Sequence, residues 1–222
     1  LIFQLGESLQ TIVKDAGSTP SVRLTVGICD SLPKMVAHRL LMPVMDVQNL
    51  KLTCLEGELD DLLGDLALHR LDVVLSDKPA PINPNIKLYS HALGETDTAW
   101  FGTAKMVKKA QKNFPESLAT VPVLLPTPHT AVRDRIDHWF DQHGIKPNIV
   151  GEFEDSALLN TFGANGMGIF PAAESVLDEL TTHYAVHRLG ACEGVTEHFF
   201  AIGTEKKVQH PLVQMLLHPT AQ

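Results

Sequence analysis

The run Val22-Arg-Leu-Thr-Val-Gly-Ile28, continued by Cys29-Asp-Ser-Leu-Pro33 and then by the apolar series Met35, Val36, Leu40 and Leu41, reads as a strand turning into a helix. β-branched residues in a short run with little charge favour the strand, and Asp30 and Ser31 ahead of Pro33 are helix-start residues. At such a junction the free N–H groups of the helix point beyond the carboxyl end of the strand, where open α/β sheets receive ligands. Asp30 and Ser31 serve equally well as plain helix caps.

The pattern repeats downstream. Leu50-Lys-Leu-Thr-Cys-Leu55 alternates as a second strand, Leu59, Leu62, Leu63 and Leu66 mark the next helix by their spacing, and Leu71–Asp77 is a third strand. Strands separated by helices at this distance pair in parallel through right-handed crossovers. Beyond the prolines at 79, 81 and 84 come strand-like runs at 86–89 and 98–101, a basic helix after Thr103 and a strand at 121–125. An amphipathic helix carrying Val132, Ile136, Trp139 and Phe140 is stopped by Gly144. Asn148–Phe153 then leads into a helix from Ser156, a glycine-rich turn at 163–168, strands at 184–189 and 197–202, and a closing helix with Val208, Leu212, Val213, Leu216 and Leu217. The apolar spacing of residues 1–15 reads as the tail of a helix.

The chain has 222 residues with 44% hydrophobic content, enough for one large or two small domains. A net charge of −8 argues against a grip on phosphate backbones by this chain itself. Lys105, Lys108, Lys109 and Lys112 are the one dense basic run and fit a solvated helix face. Cys29, Cys54 and Cys192 have no metal-ligand spacing; they read as small buried residues and suit a reducing, cytoplasmic setting. The glycine run lacks the Lys-Ser/Thr of a phosphate loop, so tight turns explain it. No Gly-x-Ser-x-Gly elbow occurs, and Ser31, His129 and Asp155 form no triad by spacing, so no enzyme is expected. The 11 histidines carry no His-Glu-x-x-His pattern and read as surface or capping residues, His183 and His187 sharing a strand face.

Three segments carry a family likeness. Asn49-Leu-Lys-Leu-Thr-Cys-Leu-Glu-Gly-Glu-Leu-Asp-Asp-Leu-Leu63, His69-Arg-Leu-Asp-Val-Val-Leu75 and Gly166-Met-Gly-Ile-Phe-Pro171 resemble the effector-binding region of LysR-type transcriptional regulators. Within that family, Leu75-Ser-Asp77, Gly151–Leu158, Phe162-Gly-Ala164 and Gln209–Gln214 are similar to the activator of sodium/proton antiporter expression. The resemblance implies an α/β fold of periplasmic-binding-protein type II architecture: two Rossmann-like subdomains joined by two crossing strands. Residues 20–96 and 202–222 would form subdomain I and 97–201 subdomain II. Residues 1–19 would be the tail of a linker helix from a winged helix-turn-helix domain that this sequence does not include. The same likeness implies a homodimer or tetramer paired through the helix at 59–68 and the basic helix after Thr103, and DNA contact only through the missing domain; no apolar run reaches the roughly 18–20 residues that span a bilayer, so no membrane association is expected.

The effector would then sit between the subdomains, against Asp30, Ser31, Leu32, Glu56, Ser76 and Asp77 on one wall and Thr127, His129, Glu154 and Asp155 on the other. No Arg lies in these loops to balance a carboxylate ligand, Arg133 being the nearest in sequence. That acidity points to a cation, a proton or a hydroxyl-bearing ligand, with Asp30, Glu154 and Asp155 as candidate Na+ ligands by extension from the oxygen-rich sites of other hard cations. The function expected is effector sensing for an activator that answers Na+ or pH; a regulator of this type sensing a small organic ligand, or a free two-lobed solute-binding protein, shares the same plan.

Overall fold

A computed structural model describes residues 21–82, 87–128, 130–205 and 210–218. The linker-helix tail, Ile86 and His129 lie outside the described residues.

The first strand, β1 (Val22–Cys29), turns its alternate residues Leu24, Val26 and Ile28 into the core. It pairs in parallel with β2 (Leu50–Gly57) and with β3 (Val73–Ser76). Helix α1 (Lys34–Met45) packs one sheet face through Val36, Ala37, Leu41 and Val44, and α2 (Leu59–Ala67) packs the other through Leu62, Leu63 and Leu66. Asp60 and Asp61 in the first turn of α2 suit its positive end. The third strand is shorter than the expected 71–77. Leu71 and Asp72 instead close the loop before it, where the Asp72 carboxylate accepts a 2.8 Å hydrogen bond from Thr25 N.

The second lobe repeats the plan. It holds α3 (Ala104–Ala110), β5 (Pro122–Pro126), α4 (Ala131–Gln142), β6 (Asn148–Phe153), α5 (Ser156–Ala164), β7 (Phe170–Ala173) and α6 (Leu177–Tyr184). β5 and β6 are parallel, and β5 joins β7 through mutual hydrogen bonds of Ile169 with Pro122 and Leu124. Trp100, Trp139 and Phe140 fill the centre of this lobe, with ring centroids 5.2–5.7 Å apart. Gly144, at φ +62°, ends α4 as anticipated. All four lysines of the basic run are exposed, Lys112 just past the end of α3.

Two long strands tie the lobes together. Each of the strand pairs expected at 86–89 and 98–101, and at 184–189 and 197–202, proves to be one strand: β4 (Leu88–Gly102) and β8 (His187–Thr204). They run antiparallel along both lobes, with register shifts at Ala92/Gly94 and Asp97/Ala99 where they pass from one to the other. β8 also pairs with β3 and β4 with β7, giving the sheet order β2-β1-β3-β8-β4-β7. The closing helix α7 (Pro211–Leu217) returns to pack on α1 through Leu212, Val213 and Leu216.

Further corrections concern single residues. His183 belongs to helix α6, a segment with no expected element, and so shares no strand face with His187. Cys54 is exposed because β2 is an edge strand, whereas Cys29 and Cys192 are buried as anticipated.

Candidate functional site

Between the lobes lies a cavity of about 490 Å³. The entry to α1 supplies Ser31 and Lys34, with His38 one turn further along that helix. The far side is made by Thr130 and Val132 at the start of α4, Phe153 and Glu154 before α5, Pro171 and Ala172 of β7, and Glu179, His183 and Tyr184 of α6. Glu197, on the crossing strand β8, completes it. A smaller neighbouring pocket of about 90 Å³ is lined by Asp30, Ser31, Glu58, Asp77, Lys78 and Glu154 among others.

Of the residues expected from sequence, Ser31 and Glu154 line the cavity, while Asp30 and Asp77 face the smaller pocket. Leu32 and Ser76 are both 0% exposed and belong to the core. Ser76 Oγ accepts from Lys78 N at 3.1 Å, shaping the turn after β3. Thr127 lines neither space; its carbonyl is taken by Thr130 N and Oγ1. Glu56 and Asp155 line neither space and are engaged by Lys34, at 2.8 and 3.6 Å.

Asp155 also caps α5 by accepting from Leu158 N at 2.7 Å. The trio Asp30, Glu154 and Asp155 therefore does not converge as a cation cage. Among the described residues no three His, Cys, Asp or Glu side chains gather as a metal site would require.

Among the described residues, three polar bridges cross between the lobes. Lys34 joins Asp155, Asp77 Oδ2 accepts from Ala131 N at 3.3 Å while its Oδ1 accepts from Ser31 at 2.6 Å, and Arg39 binds Glu179 and the carbonyl of Ser175. Burial pulls the Lys34 ammonium down, but the hydrogen bond and charge of Glu56, with Asp155 and Asp30 behind, leave it above its ordinary value. These groups remain partly exposed, so replacing Lys34 with Met should change stability by under about 1 kcal/mol in urea unfolding. The same variant should lower protection of the α5 entry amides in hydrogen exchange, because Asp155 loses its tether to the first lobe.

Arg133 is 7% exposed and unavailable to a ligand. It donates to Asp137 at 2.9 Å, to Glu152 and to the carbonyl of Pro126. Glu197 is the opposite case: an acid 8% exposed whose one hydrogen bond among the described residues, from Thr98 Oγ1, is long at 3.4 Å. Burial first, and the Asp77 charge second, push its carboxyl up to about 7, against the Thr98 bond and Arg135. Sequence reasoning missed Glu197, yet a signal was present: Val195, Glu197, Phe199 and Ala201 alternate on the buried face of one strand. The α6 residues had no comparable local signal.

Among the described residues no helix is long and apolar enough to cross a membrane. The family model for the LysR substrate binding domain matches residues 17–218. The transcriptional activator protein NhaR of Escherichia coli K12 is 30% identical over 216 residues, covering 97% of this chain and 70% of NhaR. The nitrogen assimilation regulatory protein nac of the same organism is 25% identical over 81% of this chain and 58% of its own length. In three dimensions, the cofactor-binding domain of the Cbl transcriptional regulator superposes with a TM-score of 0.71 at 18% identity, covering 93% of each chain. The relatives are transcriptional regulators rather than enzymes, and the two α/β lobes with paired crossing strands have the type II periplasmic-binding-protein architecture. This chain belongs to the LysR substrate-binding domain family.

Proposed function

We propose that this domain senses the effector of an activator that controls sodium/proton antiporter expression in response to Na+ or pH, working as a homodimer or tetramer whose DNA contacts are made by a winged helix-turn-helix upstream. The observation that carries the reading is the 30% identity to an activator running over 97% of the chain, both lobes and the cavity between them included. Signal transfer is two-state. A ligand or proton that favours one arrangement of the bridges Lys34–Asp155, Asp77–Ala131 and Arg39–Glu179 changes the angle between lobes, and the paired domains pass that change on. A ligand bound equally by both states would shift nothing.

A specific observation favours a second reading, that the effector is a small organic molecule. The cavity of about 490 Å³ is of the size that encloses such ligands and far exceeds a bare cation, and Met35, Val132, Phe153, Leu159 and Val176 make much of it apolar.

Plugging the cavity tests both. Ala157, half-buried at the start of α5, lines it. In cells carrying the full-length regulator, Ala157→Trp is expected to reduce induction of the antiporter promoter by NaCl or alkaline pH to the uninduced level while operator binding is retained. Undiminished induction would remove the cavity from the signal path. Melting in NaCl against KCl at matched ionic strength then separates the readings, since a direct Na+ effector raises the midpoint only in NaCl.

A further inference from the structure

We infer that the interlobe cavity is built for an organic cation, an amine-bearing molecule with an apolar body, whose ammonium group is received by Glu197 on the crossing strand β8. The inference rests on the reading of this cavity as the effector site and names the chemical class it takes.

The argument is one of charge left over. Each strong cation around the cavity is already engaged: Lys34 with Glu56 and Asp155, Arg39 with Glu179, and Arg133 with Asp137 and Glu152. Arg135 donates to the carbonyl of Thr196. A ligand carboxylate would have to displace one of these pairs.

The acids are not so committed. Glu154 and Glu197 line the cavity and make no ion pair among the described residues. Glu197 is held away from water with a single long hydrogen bond, so a buried acceptor is left with little to accept. An ammonium donor at this point would supply both hydrogen bonds and countercharge in a site of low polarity, where such pairing is strongest. The apolar lining then receives the rest of the molecule, and the Phe153 and Tyr184 rings add faces that attract cations.

The groups that face Glu197 decide the pH response. Asp77 at the end of β3 repels it, Arg135 of α4 attracts it, and Thr98 of β4 donates to it. Around the cavity, α6 adds Glu179, His183 and Tyr184, the α5 entry adds Glu154, and α1 adds Lys34 and His38. An incoming ammonium requires ionised Glu197, whose carboxyl lies at about 7, so binding should tighten about tenfold from pH 6 to pH 8 and release a proton on the acid side. His38 and His183 also line the cavity, so the slope must be compared with that of the Glu197→Gln variant.

The test is titration calorimetry on the full-length regulator with 2-phenylethylamine, and with 2-phenylethanol and 3-phenylpropionate as neutral and anionic counterparts. The amine is expected to bind at least tenfold more tightly than the carboxylate. Glu197→Gln should weaken the amine at least tenfold at pH 8 and flatten the pH dependence, while His38→Gln and His183→Gln retain it. The inference is overturned if the carboxylate binds as well as the amine, if the amine does not bind, or if Glu197→Gln leaves amine affinity unchanged.

The two layers fail separately. Induction abolished by Ala157→Trp with no amine binding would leave the cavity as the effector site and remove only the cation. Induction untouched by Ala157→Trp would remove the effector site itself.

Discussion

At pH 8 the Glu197→Gln variant is expected to be more stable than the wild type by about 3 kcal/mol, and at pH 4 the two should be equally stable. Burial makes the ionised form of Glu197 expensive, and Asp77 adds repulsion; the hydrogen bond from Thr98 and the charge of Arg135 offset only part of this. The folded protein therefore holds the proton up to about 7, whereas the unfolded chain releases it near the ordinary value of 4.5. Below that ordinary value both states are protonated and the carboxyl is neutral in its effect. As pH rises through the window between the two values, the unfolded state binds fewer protons than the native state, and stability falls by up to about 1.4 kcal/mol per pH unit. Above the folded value both states are ionised and the full cost, about 3 kcal/mol, persists. Gln cannot ionise and keeps the shape, so it escapes the cost. For a chain of this length the difference corresponds to a midpoint about 6–12 °C higher for the variant at pH 8. Urea unfolding of both proteins across pH 4–8 reads it directly, and parallel stability profiles would contradict it.

A native acid that lowers stability at working pH has to be explained by something other than the fold. Every second residue of 195–201 in β8 points inward, and at Val195, Phe199 and Ala201 it is apolar, so the pattern of the strand alone calls for an apolar residue at 197. The carboxyl sits instead on the cavity wall, beside the strands that join the two lobes. Local destabilisation at a binding surface is relieved when the ligand arrives, and the relief enters the binding energy. On the proposed reading, a cation that reaches Glu197 in one lobe arrangement only would draw on that relief in that arrangement alone.

Elements whose cause is local were legible in the sequence. β1 shows itself through Leu24, Val26 and Ile28, and α2 through Leu59, Leu62, Leu63 and Leu66, because each pattern is the imprint of one buried face. The Asp155 cap and the Gly144 stop are likewise decided within a few residues. The continuity of β4 and β8 was not legible. Between the expected strands, Gly94, Glu95 and Thr96 carry no strand pattern of their own; only pairing with β8 about a hundred positions away makes them strand, as in the register of Asp97 with Thr196. The same distance explains what was missed at the site. Ser31 and Glu154 stand at strand ends and could be placed by topology alone. Glu179, His183 and Tyr184 reach the cavity only because α6 docks across its side, and Lys34, paired with Glu56 within its own lobe, takes up Asp155 only once the lobes face each other.

Gly163→Ala is expected to cost about 2 kcal/mol of stability, and changing Phe170 with it should recover part of that loss. Gly163 lies near the end of α5, and a Cβ built there meets the Phe170 ring at 2.1 Å from Cδ1 and 2.4 Å from Cε1. Real Cβ atoms do not come within 3.0 Å of another heavy atom, so either the ring or the helix must move. The ring has nowhere to go: Phe170 is 0% exposed, packs against Phe101 at 6.2 Å between centroids, and its backbone is paired with β4. Helix propensity works the other way, since Ala is favoured over Gly by about 1 kcal/mol in a helix interior. Overpacking of about 1–3 kcal/mol, and more where neither partner yields, outweighs it here. Shifting α5 would also displace Ala157 and Asn160, which line the cavity, so ligand binding should weaken together with stability. Phe170→Leu alone removes buried ring surface and should itself destabilise, while the double variant has room for the new methyl group. A double-mutant cycle in urea should then give a favourable coupling of at least about 1 kcal/mol. Additive losses would mean that the helix accommodates the added methyl group by moving away, and the ring would then not be what requires glycine at this position.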